Sequence, residues 1–152
     1  MLKSAVSKLF LSNNVKSKTP KIYLGIDWGK SKIGLAIGDD HTGVAVPFLV
    51  AKNLAEVVKI IKKEAIDKII IGNPLSLSGK KGGEAKYFED FLADLKKQVK
   101  QPIELIDERL TSKLADTLRQ QAGSKQAKKG MANQDAVAAM LILESYFNSK
   151  NI

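Results

Sequence analysis

The chain has 152 residues, a formal net charge of +9 and 44% apolar residues, the size and make-up of one ordinary globular domain. It has no cysteine and a single histidine, His41, which excludes disulfides and thiolate metal sites and argues against a His-rich zinc site or a Ser/His/Asp triad. No apolar run approaches the roughly 18 to 20 residues that cross a bilayer, so no membrane association is expected.

Residues 1–20 differ from the rest. They carry Lys3, Lys8, Lys16 and Lys18, several serines and no acidic residue. Leu2, Ala5, Val6, Leu9 and Phe10 have helical spacing. An organellar transit peptide would be rich in arginine and this segment has none, so it reads as a basic N-terminal extension ending at Thr19-Pro20. Ile22–Asp27 reads as a strand ending in a glycine-containing turn. Lys32–Gly38 is a second strand, with Ile33, Leu35 and Ile37 on one face and Gly34, Ala36 and Gly38 on the other. Val44–Ala51 is a third. Their short, glycine-rich connections predict an antiparallel meander.

Asn53 then opens a helix with Glu56 in the capping-box position, and Leu54, Val57, Val58 and Ile61 line one face. Lys68–Gly72 holds Ile69-Ile70-Ile71, an apolar run typical of a parallel strand covered on both faces. A loop with Lys80 and Lys81 follows. Glu84–Lys100 is an amphipathic helix, Ile103–Asp107 a fifth strand, and Leu110–Ala122 a helix stopped by Gly123. Asn133 caps a last helix, apolar nearly all round and so expected to be buried. Three antiparallel strands followed by parallel αβ units predict an α/β fold with a mixed five-stranded sheet flanked by helices.

Three acidic positions stand where a half-buried charge is costly. Asp27 ends a strand that should be central, Asp107 and Glu108 end another, and Asp135 lies in the first turn of the buried last helix. Each has an ordinary reading: an Asx turn at Asp27, an ion pair of Glu108 with Arg109, a helix-dipole contact at Asp135. Taken together they suggest a cup of carboxylates, provided that the strands bearing Asp27 and Glu108 are neighbours. With neither thiolate nor histidine to offer, such a cup suits Mg²⁺ or Mn²⁺ and the two-metal hydrolysis of phosphodiesters. The excess of lysine fits a polyanionic partner. It also fits a general compositional bias, since Arg109 and Arg119 are the only arginines. Asp27-Trp28-Gly29-Lys30-Ser31-Lys32-Ile33-Gly34 allows a tight hairpin and close approach of a phosphate to backbone N–H groups at Gly29. Trp28 reads equally as a base-stacking residue or as a core or lid residue.

Four blocks resemble the motifs of the YqgF/RuvX family. They are Leu24-Gly25-Ile26-Asp27-Trp28-Gly29 with Ile33-Gly34-Leu35-Ala36-Ile37, then Ile71-Gly72-Asn73-Pro74-Leu75, then Asp107-Glu108-Arg109-Leu110-Thr111-Ser112, and last Asp135 to Tyr146. The similarity runs in order from Lys21 to Phe147. It implies a ribonuclease H-like fold over residues 21–150 and a metal-dependent endonuclease acting on structured nucleic acid. The implied role is 5′-end maturation of pre-16S rRNA in ribosome biogenesis, in the cytoplasm. By motif matching, Asp27, Glu108 and Asp135 are the implied catalytic and metal-binding acids, with Asp107 an ambiguous further ligand. Arg109 is an implied phosphate contact. Lys30, Lys32, Lys128 and Lys129 then become candidate clamps for flanking phosphates.

The nearest alternative is a Holliday junction resolvase cutting branched DNA with the same acids, which needs a homodimer for paired cuts. A monomer would suffice for RNA processing. A sugar kinase or actin-like ATPase shares the D-x-G-x-x-x-x-G pattern, but needs two such domains. A third reading is a non-catalytic RNA- or ribosome-binding factor. The retained carboxylates argue against it.

Overall fold

The computed structural model describes residues 19–74, 83–107 and 134–152. Most of the N-terminal extension, the loop with Lys80 and Lys81, the helix expected over Leu110–Ala122, the cap Asn133, and Glu108, Arg109, Lys128 and Lys129 lie outside the described residues. Among those described, the elements are β1 (Ile22–Trp28), β2 (Ile33–Asp39), β3 (Ala45–Ala51), α1 (Leu54–Lys63), β4 (Lys68–Asn73), α2 (Gly83–Gln98), β5 (Ile103–Asp107) and α3 (Gln134–Ser149).

The five strands form one sheet in the order β3-β2-β1-β4-β5. β1 pairs antiparallel with β2, and β2 with β3. β4 lies parallel to β1 on its other side, and β5 parallel to β4. This is the expected mixed sheet. The meander uses short turns because antiparallel neighbours allow them, whereas the parallel pairs require crossovers. Asp39 shapes the turn between β2 and β3: its Oδ1 accepts from the backbone N–H groups of His41 (3.0 Å) and Thr42 (2.8 Å). Gly43 completes the turn at φ +66°, where a side chain would be strained.

Alternation along the strands sorts side chains into two layers. Leu24, Ile26, Ile33, Leu35, Ile69 and Ile71 face Val57, Val58 and Ile61 of α1 and Phe88, Phe91 and Leu95 of α2. Tyr23, Ala45 and Ile70 face the opposite way, against Ile142, Leu143, Tyr146 and Phe147 of α3. The amphipathic pattern of α1 follows from its single buried stripe. Asn53 Oδ1 caps it by accepting from Glu56 N–H at 3.0 Å, while the Glu56 carboxylate accepts from the backbone of Lys52 at 2.8 Å, one residue before the position a capping box prescribes. The last helix is buried as its composition requires, with seven buried side chains from Ala136 to Phe147. β3 is an edge strand with Pro47 inside it and a register irregularity opposite Leu35 and Ala36, and Val46 and Phe48 stay exposed.

Polar ties close the end of the sheet where β1 begins. Ile22 N–H donates to Asp67 Oδ2 and its carbonyl accepts from Asp67 N–H, both at 2.8 Å. Lys68 Nζ lies 2.8 Å from Tyr146 Oη and 2.9 Å from Glu104 Oε2, so β4, β5 and α3 meet in one polar cluster. The hydrogen bond to Tyr146 and the Glu104 carboxylate push the Lys68 ammonium up to about 12. The same lysine holds Glu104 below the ordinary carboxylate value. Lys68 therefore stabilises the fold in full below the roughly 10.4 of an unfolded lysine and loses that contribution as pH rises through about 12. Glu104 stabilises above the roughly 4.3 of an unfolded glutamate and loses it as pH falls through its lowered value. Both contributions are present at neutral pH. Glu104 is 37% exposed, which limits the pair to about 0–1 kcal/mol. Lys68→Met is expected to lower Tm most at pH 7, the gap to the parent chain narrowing towards pH 3. Thermal scans across that range check it, and an equal gap at both ends would rule out Glu104 as the titrating group.

Candidate metal and nucleic-acid site

Among the described residues singled out by sequence, Asp27, Gly29, Lys30, Lys32, Asp107 and Asp135 lie at the end of the sheet where β1, β4 and β5 finish and where β2 and α3 begin. Asp27 is the penultimate residue of β1 and pairs across the ladder with Gly34 of β2. By alternation it shares the face of Tyr23, the face covered by α3. Asp135 opens α3 from the other direction.

Gly34 joins the two. A Cβ placed on it would collide with the backbone carbonyl of Asp135 and come within 3.0 Å of Ala136 N. The first turn of α3 therefore rests on the bare backbone of β2, directly across the ladder from Asp27. Two further glycines continue the seat. A Cβ on Gly25 would lie 2.8 Å from the Ala139 carbonyl oxygen, and one on Gly38 2.8 Å from the Phe147 ring. Loss of side-chain volume on one face of β1 and β2 lets α3 lie close against the sheet. The pattern of Gly34, Ala36 and Gly38 seen in sequence is the track under that helix.

The third strand end behaves differently from the simplest expectation. β1 and β5 are not neighbours, because β4 runs between them. Two inter-strand spacings, about 10 Å, separate their backbones. Ile26 is level with Ile71, and Gly72 with Ile106, so the strand between contributes a glycine at the level of Asp27. Asp107 pairs with Asn73. Alternation in β5 puts Asp107 on the side of Ile103, which packs in the α1/α2 core, and opposite Ile106, which packs on the α3 layer. Asp107 thus has the wrong parity to face Asp27 and Asp135. Glu108 lies outside the described residues, and among those described no three acidic or histidine side chains form a metal-holding group. Asp27 and Asp135 nevertheless offer hard oxygen donors of the kind that Mg²⁺ or Mn²⁺ requires. His41 lies in the turn at the far end of β2, so it takes no part at this edge.

Asn73, which ends β4 beside Asp107, was placed by sequence in a motif but given no part in a site.

Gly29, Lys30 and Lys32 occupy the hairpin between β1 and β2. Gly29 permits the tight turn because its Cα approaches the Lys32 carbonyl; a Cβ there would stand 2.7 Å from that oxygen. Lys30 and Lys32 are exposed. Trp28 points away from Asp27, into the α2 layer, where its ring is 5.5 Å from Phe88 and 6.3 Å from Phe91. Half-buried against the α1/α2 core, it pins α2 to the end of β1, in line with the core reading.

Residues 21–149 match the model of the family described as RuvX, Holliday junction resolvase. The chain belongs to the RuvX family. A relative from Sulfurihydrogenibium sp., described as a candidate pre-16S rRNA nuclease, is 37% identical over 131 residues, covering 82% of this chain and 88% of the relative. One from Chloroflexus aurantiacus with the same description is 31% identical over 136 residues, covering 86% and 88%. Among solved structures, Thermus thermophilus RuvC in complex with a Holliday junction substrate superposes with a TM-score of 0.56 at 14% identity, covering 86% of this chain and 96% of that one. The yeast mitochondrial Holliday junction resolvase Ydc2 gives 0.50 at 12% identity, covering 85% and 78%. These likenesses establish the ribonuclease H-like fold of this RuvX member.

The seat of α3 generates a prediction. Gly34→Ala pushes the start of α3 off β2 and is expected to cost about 1–3 kcal/mol, the range of overpacking. Hydrogen exchange checks its locality. Amides of residues 138–141 should lose protection in Gly34→Ala while those near Phe147 keep it, and Gly38→Ala should show the reverse. Uniform loss in both variants would mean that α3 does not rest on the glycines separately.

Proposed function

We propose that this chain is a metal-dependent endonuclease that hydrolyses phosphodiesters in structured RNA, and that it trims the 5′ end of pre-16S rRNA during ribosome biogenesis in the cytoplasm. The observation that carries the reading is the approach of Asp27 and Asp135 from opposite directions across Gly34, at the edge where three strands end. The relatives described as candidate pre-16S rRNA nucleases support RNA as substrate. No helix among the described residues is long and apolar enough to cross a membrane.

In this reading residues 21–150 are the nuclease domain and residues 1–20 a basic extension. Asp27, Asp135 and Glu108 would hold Mg²⁺ or Mn²⁺. Glu108 rather than Asp107 is the third acid, because Asp107 falls on the other face of β5. The bound metal supplies an activated water and charge stabilisation at the leaving oxygen. The chain's own part is positioning. The negative charge of Asp27 and Asp135 would draw cations to this end of the sheet, and the seat of α3 on Gly34 fixes where Asp135 stands relative to Asp27. Lys30 and Lys32 on the hairpin, with Arg109, Lys128 and Lys129, hold phosphates on either side of the scissile one. Gly29 keeps the hairpin backbone open to a phosphate oxygen. A monomer suffices for a single cut, while resolution of a junction would call for a homodimer.

The test is cleavage of a pre-16S rRNA 5′-leader fragment and of a four-way DNA junction, with Mn²⁺ or with EDTA. Asp27→Asn should lower the rate by at least about 100-fold, since even outer-shell ligands of a metal contribute 10–100-fold, while leaving the fold and RNA binding intact. Equal cleavage by parent and variant would overturn the site. Preference for the junction would move the assignment to a resolvase.

A further inference from the structure

The mechanism above leaves one exposed aromatic at the same edge unexplained. Tyr87 lies in the second turn of α2 and is 51% exposed, although the helix face next to it, with Phe88 and Phe91, is buried. An exposed tyrosine alone is unremarkable in a soluble protein. This one is not alone. Lys30, from the hairpin that follows Asp27, holds its ammonium 4.4 Å from the Tyr87 ring centroid. The contact joins two separate elements, and both are anchored. Trp28, the residue after Asp27, packs on Phe88 and Phe91 and so fixes this part of α2 beside the end of β1.

We infer that Tyr87 and Lys30 form a platform for an unpaired RNA nucleotide flanking the cut, the ring stacking on the base and the ammonium contacting its phosphate. The inference rests on the nuclease reading and names a feature of its substrate. Aromatic rings stack on any base, because every base has a π face. A lysine next to the ring supplies the phosphate partner that stacking alone lacks. The local charges fix which group goes where. Glu84 and Asp90 lie one turn to either side of Tyr87 on α2, and both repel a phosphate placed over the helix. The neutral base therefore takes the helix side and the phosphate takes the hairpin side, towards Lys30 and Asp27. A fully paired helix offers no free base face for such a platform, so the site selects substrates with unpaired nucleotides beside the scissile phosphate.

The test uses the full chain and two fluorescein-labelled RNA hairpins of equal stem, one with a five-nucleotide single-stranded 5′ flank and one blunt. Binding is measured with Ca²⁺ in place of Mg²⁺, and cleavage separately with Mn²⁺. Tyr87→Ala should weaken binding of the flanked hairpin by roughly 5- to 100-fold and leave the blunt one unchanged, the range expected for loss of one stacked base. Tyr87→Phe should bind as the parent does, because it keeps the ring. Tyr87→Leu, which keeps apolar bulk without a π face, should behave as alanine does. Thermal scans identify any variant that has simply lost its fold. Equal loss on both hairpins, or parent-like binding by Tyr87→Ala, overturns the platform. If the parent chain cleaves neither RNA while Tyr87→Ala still weakens binding of the flanked hairpin alone, the nuclease reading fails and the platform stands.

Discussion

Everything at the carboxylate edge depends on how closely α3 can approach the sheet. Gly25, Gly34 and Gly38 remove side chains from one face of β1 and β2; the backbone of α3 fills the space over the first two and the Phe147 ring lies over Gly38. The contact at Gly34 is between main chains, so its geometry is stiff. It sets where Asp135 stands relative to Asp27 without relying on the rotamers of long side chains. Leu143, Tyr146 and Phe147 then hold the remainder of the helix against Tyr23, Ala45 and Ile70. The apolar contacts supply adhesion and the glycines supply position.

The sheet is polar at both ends, with different purposes. Where β1 begins, polar groups answer one another: Asp67 with the backbone of Ile22, Lys68 with Glu104 and Tyr146. Such mutual satisfaction is what a structural network requires. Where β1 ends, Asp27 and Asp135 stand on a strand end and a helix start, with the exposed Lys30 and Lys32 on the hairpin beside them. Open α/β sheets place their sites outside the carboxyl ends of parallel strands for the same geometric reason, since chains diverge there and leave a crevice.

Much of this was legible in the sequence. Alternation of Ile33, Leu35 and Ile37 with Gly34, Ala36 and Gly38 gave both faces of β2, because a strand puts successive side chains on opposite sides. The run Ile69-Ile70-Ile71 marked a strand covered twice, as β4 is. That Asp27 ends a buried strand and Asp135 opens a buried helix was also legible. Three things were not legible. Strand order is a long-range property, so the insertion of β4 between β1 and β5 could not be read from local pattern. The choice between Asp107 and Glu108 is one of parity, and parity needs the register. The direction of Trp28 and its rings of contact in α2 depend on a helix sixty residues further on. The pairing of Tyr87 with Lys30 is hidden for a related reason: the two come from separate elements, and no spacing rule links them.

Pro47 has a consequence for the life of the protein in a crowded solution. It sits within the edge strand β3, where the next ladder position would otherwise be free to recruit a foreign strand. Proline offers no N–H to such a strand, and the register irregularity beside it twists the edge out of line. The exposed Val44, Val46 and Phe48 thus flank a border that cannot be extended in regular fashion. A border that carries apolar side chains is in this way a poorer template for a foreign strand than a regular one would be.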